Sequence, residues 1–201
     1  MTDYCTVDEL QSGWLQISDD NDRSILSALI TSASGLIDKH CGRTFGQDAA
    51  VSARIYSPDF ADVLSVDDIS TATGLIIKSD WDRDGVYEVT WAANDYQLEP
   101  VNNLAKGEPV YTIRSRFMNN YFPRYVGTSV QVTAQWGWPA VPAQVKTACL
   151  LQVSRLHMRR RTPGGILMAP DLGSGERLYA SLDPDVRVLL SGLVRGEWFT
   201  D

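Results

Sequence analysis

Asp80, Asp82, Asp84 and Gly85 stand in the run SDWDRDGVYEV at the spacing D-x-D-x-D-G. Carboxylates at alternate positions, followed by a glycine that lets the chain turn sharply, are how an EF-hand calcium loop begins. Such a loop closes the coordination sphere with a bidentate glutamate at its twelfth position. Counted from Asp80, that position is Trp91. The flanks differ too, because GLIIKS before and VYEVTW after read as strands, where an EF-hand has helices. Asp-Gly between two strands is a hairpin signal, since glycine reaches the positive φ the turn demands. The spacing therefore predicts a hairpin turn with solvated carboxylates and no metal.

Residues suited to catalysis are scarce. His40 falls in the apolar stripe of a long helix and reads as a hydrogen-bonded core residue. His157 lies near a helix end in RLHMRRR. Neither has a Ser, Cys or Asp at a nucleophile spacing, and G-x-S-x-G, P-loop, H-E-x-x-H and G-x-G-x-x-G motifs are missing. No catalytic residue, cofactor or enzymatic activity is assigned. Arg155, Arg159, Arg160 and Arg161 form a basic cluster. Cations in the last turns of a helix complement its dipole, but four in seven residues exceed what a cap needs. The other role open to them is contact with an acidic neighbouring subunit or with passing DNA. Trp81, Trp91, Trp136 and Trp138, with FMNNYFPRY, supply aromatics for a core. A carbohydrate- or cation-binding face on this β-rich part is the alternative function, and a hydrolase with a site assembled only in space is a third.

The 201 residues carry a net charge of −7, which argues against a general nucleic-acid binder that depends on cationic contacts to phosphate. No window approaches the roughly eighteen apolar residues of a membrane span. The polar N-terminus lacks a signal peptide's pattern, so a cytoplasmic site of synthesis is expected. Cys5, Cys41 and Cys149 are odd in number and far apart in sequence, the pattern of three reduced thiols.

Periodicity organises the chain around these residues. Thr6 and Glu9 form a T-x-x-E capping box opening a helix with Val7, Leu10 and Trp14 on one side. Ile25, Leu26, Leu29, Ile30, Ala33, Leu36 and Ile37 follow helical spacing until Gly42 stops the run. From Val51 the period becomes two: Val51, Ala53 and Ile55, then Tyr87, Val89 and Trp91, then Val130, Val132, Ala134 and Trp136. Shorter strands are expected at 75–78 and 110–116. Pro142 suits the first turn of a helix running to about Arg161, with Val145, Cys149, Val153 and Leu156 as its stripe. Leu150 and Leu151 flank that stripe, a width that implies burial on more than one side, within the fold or against another subunit. Asp183 and Pro184 begin a last short helix, and the tail carries Trp198 and Phe199. The expectation is an α+β fold, a helical bundle with an inserted antiparallel β-sheet or small barrel. Its parts are N-terminal helices at 1–46, the β unit at 47–138, a long helix at 139–163, and a connection, short helix and tail at 164–201.

The ordered segments YCTVDELQSGWLQI, ILSALITSASGLIDKHCGRTF and VQVTAQWGWPAVPAQVKTACLLQVSRLHMRRRTPGG resemble the head-tail connector (adaptor) proteins of long-tailed bacteriophages, especially actinobacterial ones. The resemblance runs from Tyr4 to about Gly165 and again over LDPDVRVLL; its most specific pieces are Ala33 to Phe45 and Trp136 to Pro142. Compact members of that family are almost wholly helical, and the β insertion resembles the larger members. The resemblance implies a structural role in the virion, at the head-tail interface of the capsid vertex, after assembly in the host cytoplasm. It implies a homo-oligomeric ring, often twelvefold, beneath the portal protein. Further connector or tail-completion proteins would assemble on the ring, while packaged DNA only passes through the lumen and no membrane is touched. The expected interface residues are Arg155, Arg159, Arg160, Arg161, Leu150, Leu151, Trp198 and Phe199.

Overall fold

Apolar alternation and helical periodicity occupy separate parts of the chain, and each part folds on its own pattern. The computed structural model describes residues 2–15, 22–116, 121–124, 127–161 and 182–195. The chain divides into two compact units, Met1–Phe45 with Val141–Asp201, and Gly46–Ala140.

The first unit is helical. The Thr6 hydroxyl accepts from the Glu9 N–H and the Glu9 carboxylate accepts from the Thr6 N–H, so α1 (Val7–Glu9) opens on the expected capping box. It does not continue as an α-helix, because Leu10–Leu15 forms a π-helical stretch. The changed winding separates residues expected on one side: Leu10 is fully buried and Trp14 exposed. In α2 (Arg23–Cys41) the buried face is Leu26, Ile30, Ala33, Ser34, Ile37 and Cys41, and Gly42 ends the helix at φ 63°. This left-handed conformation is one that glycine adopts without a Cβ penalty. α3 (Ala143–Arg161) packs against α2, against the π-helical stretch and against α4 (Pro184–Leu190). Asp183 caps α4 by accepting from the Asp185 N–H, and Val186 and Leu190 are its buried residues.

The second unit is an antiparallel sheet in the order β1-β6-β2-β5-β4, with β3 pairing onto β2. Its strands are β1 (Ser52–Tyr56), β2 (Val63–Ser79), β3 (Val89–Thr90), β4 (Tyr96–Glu99), β5 (Val110–Ser115) and β6 (Val130–Trp136). β6 buries alternate residues, Val130, Val132, Ala134 and Trp136, as its period of two requires. With Leu64, Val66, Ile69, Ile77, Val110, Ile113 and Phe122 they form one core. β2 serves three partners: Val63–Ile69 pairs with β5, Ile69–Ser79 with β6 through register shifts between Ile69 and Ile76, and Lys78 and Ser79 with β3. β1 faces the opposite way from a simple apolar-in rule. Val51 and Ile55 are exposed, while Arg54 and Tyr56 turn inward. The Arg54 guanidinium lies 4.5 Å over the Trp136 ring and 2.6 Å from Asp67, to which the Tyr56 hydroxyl also donates.

A helical bundle carrying an inserted sheet or small barrel is therefore not what the chain builds. The six-stranded antiparallel sheet is its largest structure, and only four α-helices are present among the described residues. Two of these, α1 and α4, have 3 and 7 residues. Helices of under one turn and about two turns cannot supply the long facing stripes of a bundle.

Candidate functional site

Among the described residues, one grouping of charged side chains stands out in each unit. In the sheet unit, Asp80 to Glu88 connects β2 to β3, which pair antiparallel at Ser79 and Val89. The D-x-D-x-D-G run is thus a hairpin connection, with Gly85 at φ 86° and Arg83 at φ 71°. Asp80, Asp82, Asp84 and Glu88 each offer an oxygen, and these oxygens lie within 4.8 Å of one another. Glu88 was not picked out from the sequence, although it continues the alternate spacing to the ninth position of the loop.

Backbone donors already use much of this carboxylate capacity. Asp80 is buried and accepts from the N–H of Arg83 at 2.8 Å and of Gly85 at 3.1 Å. Asp84 accepts from Val86 N–H at 2.7 Å, and Glu88 from Trp81 N–H at 3.3 Å. Desolvation, then the charges of Asp84, Glu88 and Asp80, hold the Asp82 carboxyl above its ordinary range. At the twelfth position, the Trp91 indole N–H donates to Ser79 Oγ at 3.1 Å and the ring stacks on Phe122 at 4.5 Å. Trp91 is therefore committed to the sheet. Calorimetric titration with calcium is expected to show no dissociation constant of about 1 µM or tighter, because no bidentate carboxylate closes the sphere. A micromolar site would contradict this.

In the helical unit the basic end of α3 is brought against acidic residues of the same chain. Arg155 pairs with Asp183 and, at 2.7 Å, with Asp185, so it clasps the start of α4 to α3. Arg160 lies 3.0 Å from Asp22, and His157 Nε2 lies 3.4 Å from the same carboxylate. Desolvation pushes the Asp22 carboxyl up, but the hydrogen bonds with His157 and Arg160 outweigh it and hold the group below its ordinary value. The core place expected of His40 is taken by the other histidine. His157 is 1% exposed, whereas His40 is only half-buried.

The other interface candidates divide as follows. Leu150 is buried by its own chain and Leu151 is half-buried. Arg159 is half-buried. The backbone of Arg161 ends α3, but its side chain lies outside the described residues, as do Trp198 and Phe199. All three cysteines are buried and unbridged. Among the described residues no helix is long and apolar enough to cross a membrane.

No protein-family model matches the sequence, and no curated protein matches it. Solved structures do match the fold. A chain from the neck of an empty gene transfer agent particle, computed with C6 symmetry, superposes at a TM-score of 0.52 with 16% identity. The match covers 96% of this chain and 89% of that one. A chain from the virion of the native gene transfer agent particle gives a TM-score of 0.51 at 15% identity, over 94% and 85% of the two chains. The fold of this protein is similar, over nearly its whole length, to that of chains found in gene transfer agent particles.

Proposed function

We propose that this chain is a structural head-tail connector of a phage-like particle. It forms an oligomeric ring beneath the portal and offers the platform on which further connector or tail proteins assemble. The observation that carries this reading is the fold likeness to a particle-neck chain over 96% of the sequence. The sequence resemblance to phage adaptors supports it independently. The net charge of −7 suits a channel wall past which DNA slides without adhering. No catalytic chemistry is assigned, and the site of action is the virion vertex after assembly in the host cytoplasm.

The decisive experiment is removal of the gene from the particle that encodes it, followed by electron microscopy. Heads filled with DNA but lacking tails are the expected product. Complete tailed particles at normal yield would overturn the proposal.

The basic end of α3 is proposed as part of the ring or portal contact. Arg155 also holds Asp183 and Asp185, so reversing it would loosen α4 and confound the result. Arg159→Glu is tested beside Arg159→Gln, with melting temperatures measured for both, because Arg159 also interacts within its own chain. The Glu variant is expected to leave circular dichroism unchanged while reducing incorporation into particles by about tenfold, through repulsion from an acidic partner. Normal incorporation would assign Arg159 to a solvated face.

A further inference from the structure

Cys5 and Cys149 are 144 positions apart in sequence, yet their sulfurs lie 3.3 Å apart. Both belong to the helical unit and both are buried, at 5% and 0% exposure. Cys5 lies on the N-terminal arm, which is fastened on either side of it. The Tyr4 N–H donates to Ser34 Oγ at 3.2 Å, its hydroxyl donates to Asp38, and that hydroxyl accepts from Phe45 N–H at 2.9 Å. On the other side, Thr6 caps α1. Cys149 comes from α3, and Ser34 Oγ lies 3.7 Å from its sulfur. A buried cysteine usually acts as a small apolar side chain, and packing alone does not require two thiols in direct contact.

We propose that Cys5 and Cys149 are a redox-closable pair, joined through exchange with a low-molecular-weight disulfide such as oxidised glutathione, so that the N-terminal arm is stapled to α3. Disulfide sulfurs sit about 2.05 Å apart, so closure requires an approach of roughly 1.3 Å. Side-chain rotation and a small shift of the arm supply it. The arm must first release to let the reagent in. The Cys5 thiolate then attacks one sulfur of the small disulfide, forming a mixed disulfide and expelling one thiolate, which takes a proton. As the arm returns, the Cys149 thiolate attacks the Cys5 sulfur and expels the second small thiolate. Two protein thiols become one disulfide, and one small disulfide becomes two thiols.

The local chemistry fits this order. In the dithiol state the hydrogen bond from Cys5, then that from Ser34, pushes the Cys149 thiol down despite its burial; once Cys5 is a mixed disulfide, the Ser34 contact is the one that remains beside the resolving sulfur. In the docked arm the same contact and desolvation push the Cys5 thiol up, so Cys5 reacts only once released. Cys41, buried on α2 and pushed up to about 11 by desolvation, is the internal comparison.

The test incubates the full chain with oxidised glutathione, removes the reagent, and measures intact mass, thiols titratable in denaturant, and melting temperature. Closure lowers the mass by about 2 Da and leaves one titratable thiol where three were present. Peptide mapping should link the Cys5 and Cys149 peptides. A loop this long should also raise the melting temperature by roughly 10 °C. Cys41→Ser should retain the cross-link and the shift, while Cys5→Ser and Cys149→Ser should lose both. The wild-type mass decides the matter even if a variant folds poorly. Three thiols surviving the incubation, stable glutathione adducts without ring closure, or a cross-link through Cys41 would each overturn the proposal.

Discussion

Gly137→Ala is expected to destabilise the sheet unit by about 4 kcal/mol, the range in which a single substitution signals a specific steric failure. A Cβ on Gly137 would stand 1.9 Å from the Gly46 carbonyl oxygen and 2.9 Å from its carbon. Both are backbone atoms and cannot rotate away. The Gly46 carbonyl is also held in place, since it accepts from Trp138 N–H at 3.2 Å. Gly137 itself donates to the Asp68 carbonyl at 2.7 Å and bridges to Gln47. Its φ of 97° adds conformational cost for any side chain. Gly74 is the control: its φ is also positive, at 76°, but a Cβ there meets nothing within 4 Å. Gly74→Ala should therefore cost only about 1 kcal/mol, the conformational part alone. Urea unfolding of both variants separates the two contributions. A Gly137→Ala protein within about 1 kcal/mol of the parent would mean that the backbone pair can separate freely.

Trp136→Ala should cost roughly 3–5 kcal/mol, the range for removing a large buried aromatic. Trp136 is 1% exposed at the end of β6 and packs beneath the Arg54 guanidinium and beside the Tyr56 ring, whose centroid is 5.9 Å away. Its indole N–H donates to the Ser52 carbonyl at 2.8 Å. Loss of the ring would leave Arg54 and Tyr56 facing a void, so the inward set of β1 should loosen with it. Trp136→Phe isolates the polar part. It keeps most of the volume but removes the donor, and should cost about 1–2 kcal/mol. Hydrogen exchange in β1 gives an independent measure. Full protection of β1 amides in Trp136→Ala would show that the strand is held by other contacts.

Local signals carried far in this chain. Helix α2 needed only the apolar spacing from Leu26 to Ile37 and the stop at Gly42, both properties of a single segment. The Thr6–Glu9 box and the Asp183–Pro184 start are likewise written within four residues. β6 was legible because its four apolar residues alternate without interruption. The turn at Asp84–Gly85 was legible because only glycine reaches that φ without strain. β4 and the first half of β2 were not, because Tyr96–Glu99 is half-buried throughout and Val63–Ile69 contains Asp67 and Asp68.

By itself, then, the sequence determined where helical and alternating periods begin and end, and which short runs cap or turn them, since those depend on neighbours along the chain. The tertiary structure alone decided which polar residues could be buried, because each needs a partner from a distant segment. Arg54 and Tyr56 turn inward because β2 brings Asp67 to them and β6 brings Trp136. His157 is buried because Asp22, at the start of α2, lies beside it. Arg155, expected to reach outward, is drawn onto Asp183 and Asp185. The balance of sheet over bundle was decided in the same way: β2 spans 17 residues because β5 pairs with its first half, and β6 and β3 with its second. A strand's own period, where it has one as in β6, does not say which distant strand will pair with it.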